Sequence, residues 1–230
     1  MRYEFYTSAV PTSALTSLET ALGDVDNLIA HHPKSAKPGR GRPATDEGPL
    51  LRSCIVLLYA AWEVYVEDGV VWAVEQVTTG TKAVDLPPAL RAFVATQTAG
   101  DPWRLADDGW RDVCVNEVIT LARGDEVGSF GINTAGPHQI ANLHNKILGE
   151  NLLNKCRWSK KTTELIKQQL AQFVTIRGAI AHTGQPPGAL HLAGVRHWQN
   201  LILRLASNLD THLETWVNDQ RSPLLSSRQD

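Results

Sequence analysis

The sequence predicts an all-α fold built around long central helices, and three observations carry that expectation. Apolar residues recur every three or four positions over most of the 230 residues, the spacing of one face of a helix that turns about 100° per residue. No stretch of useful length alternates apolar with polar residues as a half-buried strand would, apart from "RYEFY" near the start. Neither of the glycine-rich phosphate loops of parallel α/β folds, G-x-x-x-x-G-K-[ST] or G-x-G-x-x-G, is present, and there is no internal repeat.

The elements follow in order. After "VPTS", Leu15, Leu18, Leu22, Val25, Ile29 and His32 mark a first helix, with Ser13 as its N-cap and Pro33 at its end. Residues 33–48, "PKSAKPGRGRPATDEG", have no periodicity and are rich in Pro and Gly. They read as a flexible basic loop, with Lys34, Lys37, Arg40 and Arg42 ahead of Asp46 and Glu47. A long helix is expected from near Pro49 to Val77. Leu51, Cys54, Leu58, Ala61, Trp62, Tyr65 and Trp72 line one side, and Val56, Ala60 and Val70 the other. A helix apolar nearly all round is a buried, central one. Shorter helices fit "PPALRAFVATQ" and "WRDVCVNEVITLAR". The loop "GDEVGSFGINTAG" separates these from "PHQIANLHNKILG", with Pro137 in its first turn. A further helix starts at about Lys161. A last one begins near Ala189 and carries Val195, Trp198, Ile202, Leu205, Leu209, His212 and Trp216 at helical spacing, with a tail over 218–230 expected to fray. Residues 1–230 read as a single domain.

Bulk composition narrows the function classes. The formal net charge of −2 supplies no global field to draw in nucleic acid, so any such site is a local patch. Cys54, Cys114 and Cys156 lie far apart and form no zinc spacing or disulfide framework. No acidic metal cluster is evident, so no metal and no cofactor is expected. "MRYEFYTSAV" lacks the apolar core of a signal peptide, and "CIVLLYAAW" is too short to span a bilayer. The expectation is a soluble, cytoplasmic protein without a membrane partner.

Three charged groups stand out. Within the helix around Leu170, the residues Ile166, Leu170, Phe173, Val174, Ile180 and Ala181 form one apolar stripe, and Arg177 falls near its middle. A guanidinium cannot escape burial by losing its proton, so Arg177 needs an acidic partner, an anionic ligand, a solvent-filled cleft, or room to snorkel. Glu63 raises the same question on the second face of the central helix. A Glu63–Arg177 pair would satisfy both groups, whereas Glu67, one turn on, reads as solvated. His182 lies in the last turn before Gly184, a C′ glycine by its position. The helix dipole favours a cation there, so the histidine is accounted for without a catalytic role. Five residues turn a helix by about 140° beyond a full turn, so His182 does not share the face of Arg177.

Arginine, four residues, then histidine, late in an all-α chain, resembles the R-x(4–6)-H signature of the HEPN superfamily. "LLYAAWEVYVED" is similar to the helix carrying a Trp-Glu motif in the group related to RNase LS and phage-defence proteins. "FGINTAGPHQIANLHNKILG" is similar to the segment that precedes the motif helix, and "IRGAIAHTG" follows at the matching place. The resemblance spans roughly residues 45–215. It implies a HEPN-like helical bundle and a metal-independent endoribonuclease in a toxin or anti-phage defence system. Arg177 and His182 are matched to the motif pair, and Glu63 to the acidic residue of the partner helix. Many members carry Asn, His or Asp after the arginine, where this chain has Gly178. The resemblance further implies a homodimer with a composite site, RNA as substrate, and an antitoxin or defence-system partner protein.

On this reading His182 takes the proton of the RNA 2′-hydroxyl, a role that neutral imidazole suits with its ordinary pKa of about 6.5. Arg177 holds the phosphate, Glu63 orients Arg177, and Thr183 donates a hydrogen bond. Lys155, Arg157, Trp158 and Lys160 make a basic patch around an aromatic ring, suited to a phosphate backbone or to a solvated helix start. Arg40 and Arg42 could guide RNA, or, as Arg40-Gly41-Arg42-Pro43, enter the minor groove of A·T-rich DNA as an AT-hook does. The alternative to an enzyme is a non-catalytic HEPN-like module for binding nucleotide or RNA, or for dimerisation. The other tryptophans read as core or element ends.

Overall fold

The computed structural model describes residues 10–32, 48–79, 81–125, 128 and 131–226, with side chains as far as Arg221. Within them run seven α-helices. They are α1 (Ser13–Ala30), α2 (Gly48–Thr78), α3 (Pro88–Gln97), α4 (Trp110–Arg123), α5 (Pro137–Ile147), α6 (Thr163–Thr183) and α7 (Leu192–Ser226). Short 3-10 turns join α2 to α4 and precede α6. No strand occurs among the described residues, and the fold is all-α as the periodicity predicts. The strand-like "RYEFY" and the basic loop up to Glu47, with Arg40 and Arg42, lie outside the described residues; Gly48, the last residue of that loop, opens α2.

Helix α2 is the centre of the bundle, packed by α1, α4, α6 and α7. Its 31 residues bury Tyr59, Trp62 and Tyr65 completely or nearly so, together with Leu51, Cys54, Leu58 and Ala61. Phe173 is tilted against Tyr59 and stacked on Trp198, with centroids 5.9 and 5.5 Å apart, and so ties α6 to α2 and α7. Gly69 marks the crossing of α2 and α7: a Cβ there would lie 3.0 Å from Leu213 Cδ1.

The second face of α2 departs from expectation. Val70 is buried, but Val56 and Ala60 are exposed, as is Val64 one turn on. These three step by four along the side that the packed helices leave open. Periodicity alone does not distinguish an apolar face covered within the chain from one left uncovered.

Helix ends carry the remaining corrections. The N-cap of α1 is Thr12, not Ser13: its Oγ1 accepts from Leu15 N at 3.1 Å. The same hydroxyl donates to Asp210 Oδ1 at 2.5 Å, and Thr12 N donates to Asp210 Oδ2 at 3.1 Å. Burial raises the Asp210 pKa, and the two Thr12 bonds oppose that shift. Helix α1 ends at Ala30, before Pro33 is reached. Helix α6 starts at Thr163 behind the Thr162 cap. It buries Ile166, Leu170, Phe173 and Ile180, while Ala181, expected in that stripe, is exposed because the last turn of α6 is uncovered. Helix α7 starts at Leu192 rather than Ala189. It stays helical to Ser226 through most of the tail expected to fray from residue 218, and residues 227–230 lie outside the description. The thiols of Cys54, Cys114 and Cys156 are buried and unpaired, and burial raises the pKa of each.

Candidate functional site

The site is assembled from α2 outward, beginning with the loop between α4 and α5. Gly131 has φ 61°, and a Cβ there would lie 2.6 Å from the Ala122 carbonyl oxygen, so only glycine lets the chain turn against the end of α4. Ile132 N then donates to that carbonyl at 3.1 Å. The loop thereby presents the Ala135 peptide to two aromatic residues of α2. Trp62 Nε1 donates to Ala135 O at 2.9 Å, and Ala135 N donates to Tyr59 Oη at 2.9 Å. With its oxygen held as an acceptor, the Tyr59 hydroxyl directs its own proton to Glu63 Oε1 at 3.3 Å. Burial raises the Tyr59 pKa to about 12, so the phenol remains a donor.

Arg177 reaches the other side of the same residue. Its guanidinium carbon lies 4.5 Å from the centroid of the Tyr59 ring, within the range of a cation–π contact. The direct Glu63–Arg177 ion pair suggested by the sequence does not form. Instead Tyr59 touches both groups, and Arg177 acts on Glu63 through space. Burial raises the Glu63 pKa, with the Arg177 charge and the Tyr59 bond pulling it back in part. Arg177 is partly buried and lies over an aromatic face, and its guanidinium makes no hydrogen bond or ion pair among the described residues.

Glu67 is also unlike its expectation. It is partly buried rather than solvated. Burial, reinforced by the charge of Glu63, brings its pKa to about 7, against the opposing pull of Arg123. Arg123 is engaged at 2.5 Å with Asp68. One face of α2 thus presents, at one-turn intervals, Tyr59, Glu63 and Glu67, three groups whose pKa burial raises. Sequence reasoning missed Tyr59. The available signal was its place one helical turn before Glu63.

His182 lies in the last turn of α6 and is exposed. The helix is regular through Thr183 and closes at Gly184, with φ 71° and Gly184 N bonded to Ile180 O at 2.9 Å. With no distortion, Arg177 and His182 stand about 140° apart around the axis and about 7.5 Å apart along it. The Thr183 hydroxyl bonds to the carbonyls of Ala179 at 2.7 Å and Gln185 at 3.1 Å, and accepts from Gln185 N, so it caps the helix end. At Gly178 an added Cβ would meet nothing within 4 Å.

The other basic candidates lie elsewhere. Lys155, Arg157, Trp158 and Lys160 precede the N-terminus of α6, and His182 lies at its C-terminus. Twenty residues of helix put these groups about 30 Å apart. Within one chain they cannot share a ligand phosphate with Arg177 and His182. Among the described residues no three His, Cys, Asp or Glu side chains gather as metal ligands, and no helix is long and apolar enough to cross a membrane.

The all-α bundle, with the helix bearing Arg177 and His182 packed on the long helix bearing Trp62 and Glu63, has the architecture of a HEPN-like fold. The RiboL-PSP-HEPN family profile matches residues 20–215, and the chain belongs to that family. No curated protein and no solved structure matches it. HEPN domains are generally nucleases or RNA-binding modules, and they often dimerise.

Proposed function

We propose that the protein is a metal-independent endoribonuclease acting as a dimer, in a toxin or anti-phage setting with a protein partner that restrains it. The observation that carries this reading is the state of Arg177: partly buried, set over the Tyr59 ring, and in no ion pair with a carboxylate among the described residues. A guanidinium so placed is suited to a phosphate diester. His182 removes the 2′-hydroxyl proton, and the 2′-oxygen attacks the adjacent phosphorus. The 5′-oxygen leaves and takes a proton, giving a 2′,3′-cyclic phosphate and a 5′-hydroxyl end. Arg177 stabilises the charge that grows on the non-bridging oxygens. Glu63 and Tyr59 position Arg177.

The geometry of α6 supports a composite site. His182 of one copy points away from its own Arg177, and a second copy brings the two together. The exposed Val56, Ala60 and Val64 stripe, on the helix that carries Glu63, suits that second copy. Purified wild type is expected to fragment RNA into 2′,3′-cyclic phosphate ends in the presence of EDTA, with Arg177→Ala and His182→Ala each slowed at least 100-fold. Intact RNA with wild type, or undiminished cleavage by His182→Ala, overturns the assignment.

Gly178 supports a second reading, a binding module without catalysis, since the polar side chain after the arginine is absent. There Arg177→Ala abolishes RNA binding while His182→Ala leaves it unchanged, and no cyclic phosphate forms.

A further inference from the structure

At the opposite end of α6, two clefts share a wall. One, of about 590 Å³, is lined by Arg157, Trp158, Lys161 and the first residues of α6. The other, of about 510 Å³, is lined by Lys155, Arg157, Asn208 and His212 among others. Arg157 and Thr163 belong to both, so the clefts adjoin and together make a groove along the 154–164 segment, bounded by α7 at the second cleft. On the α7 side, Asn208 and His212 line the second cleft, and Arg204, one turn before Asn208, lies beside the first through its contact with Trp158.

Two of the cations, Arg204 and Lys161, are held in place, while Arg157 is exposed. Arg204 lies over the Trp158 ring, 5.9 Å from its centroid. Trp158 and Lys161 are joined across a tight turn by two backbone bonds of 2.9 and 3.3 Å, with Lys160 at φ 65° between them. The Lys161 ammonium is bonded to Gln169 Oε1. His212 Nε2 bonds to Lys155 O at 3.2 Å. Two acids are at hand: Glu164, which lines the first cleft, and Glu150, which bonds Lys155 at 2.7 Å. Burial lowers the Lys161 pKa and the charge of Arg204 lowers it further; burial and the charge of Lys161 do the same to His197. Like charges gathered in a concave place are stabilised by a polyanion.

The geometry points to an exosite: a groove that binds the phosphate backbone of RNA through Arg157, Lys161 and Arg204, about 30 Å from His182. Trp158 then serves to hold Arg204 flat rather than to stack a base. The inference rests on RNA being the substrate. At about 3.4 Å per stacked nucleotide, the separation corresponds to on the order of nine nucleotides, so a short RNA cannot occupy both places in one chain.

The test compares Arg157→Glu/Lys161→Glu with wild type on single-stranded RNAs of 5 and 20 nucleotides. The double variant is expected to raise KM for the 20-mer at least tenfold with kcat unchanged, and to leave the 5-mer unaffected. In the His182→Ala background, fluorescence anisotropy with the labelled 20-mer is expected to show at least tenfold weaker binding. The slope of log affinity against log salt should shrink by about 1.4, two single-strand phosphate contacts. If circular dichroism shows that the double variant is unfolded, Arg157→Glu/Lys160→Glu, at exposed positions, replaces it. Unchanged KM, affinity and salt slope for the 20-mer overturn the exosite while leaving the nuclease assignment standing. Wild type that leaves RNA intact but binds the 20-mer in this charge-dependent way overturns the nuclease assignment alone. A shift of the His197 imidazole resonance on adding tripolyphosphate, with 20-mer binding insensitive to the charge reversals, assigns the groove to a free polyphosphate and overturns the RNA exosite.

Discussion

At the scale of single residues, Tyr59 is the hinge of the site. Its ring supports Arg177 and its hydroxyl joins Ala135 to Glu63. These two jobs can be separated. Tyr59→Phe keeps the ring but leaves the buried Ala135 N–H without its acceptor, a loss of about 1–3 kcal/mol in stability. Tyr59→Leu removes the aromatic face as well. Cleavage is expected to fall about tenfold in the first variant and clearly further in the second, with urea denaturation separating the stability loss from the catalytic one. Glu67 makes a different prediction. Its pKa of about 7 in the fold lies above the ordinary glutamate value of about 4.3. Between those values the folded protein holds a proton that the unfolded chain has released, so stability falls as pH rises from about 4.3 to about 7. Allowing for the solvent that still reaches this side chain, the effect is about 1 kcal/mol. Urea midpoints at pH 5 and pH 7.5 are expected to lie closer together in Glu67→Gln than in wild type. Neither residue announced its role in the sequence. Tyr59 belongs to neither apolar side of α2 read from the sequence, and its contact with Arg177 joins positions 118 residues apart in the chain. Glu67 read as solvated because its burial comes from neighbouring elements rather than from its own helix.

At the scale of elements, the sequence was most informative where a helix covers itself on one side. The stripes of α1, α6 and α7 place the starts of those helices to within a few residues, because apolar spacing and burial largely coincide there, but α7 continues to Ser226, past its expected end at residue 218. The ends were harder to place: Thr12 and Ser13 are both good capping residues, and the choice fell to Thr12 because Asp210, far along the chain, accepts its hydroxyl proton. The open face of α2 was misjudged because apolar spacing does not say which partner covers a face. The α2–α7 crossing was equally silent in the sequence, since a lone helical glycine reads only as a weak point. In the fold, Gly69 allows Leu213 to approach. A larger side chain must push α7 away from α2 along a contact that also carries Tyr65 Oη to Ala206 O at 2.8 Å. Gly69→Val is expected to lower stability by about 1–3 kcal/mol, the usual range for overpacking, measured as a shift of the urea midpoint. Gly69→Ala is expected to cost less, because Leu213 Cδ1 is the end of a flexible side chain.

At the scale of the whole molecule, α6 sets a geometric condition on catalysis. A regular helix from Thr163 to Thr183 keeps Arg177 turned towards α2 and His182 turned away. If both act on one phosphate, they come from different chains. This can be tested without a structure of the assembly. Take two inactive variants, Arg177→Ala and His182→Ala, and let their subunits exchange. A mixed dimer has one defective site, made of the two substituted positions, and one intact site, in which the surviving arginine of one chain meets the surviving histidine of the other. At equal concentrations with free exchange, half of the dimers are mixed and each has one of its two sites restored. The mixture is therefore expected to recover about a quarter of wild-type cleavage, while either variant alone stays inactive. If arginine and histidine served the same site within one chain, each mixed dimer would contain two broken sites and mixing would restore nothing. Ala60→Glu supplies the control: by placing a charge in the exposed stripe of α2 assigned to the second copy, it is expected to shift size-exclusion light scattering towards the monomer mass. Introduced into both variants, it should abolish the rescue while circular dichroism stays helical. A dimer that persists, with rescue intact, places the interface elsewhere on the molecule but leaves the composite site in force. Absence of rescue between two variants that do exchange subunits would require α6 to bend at its last turn and bring His182 round to its own arginine.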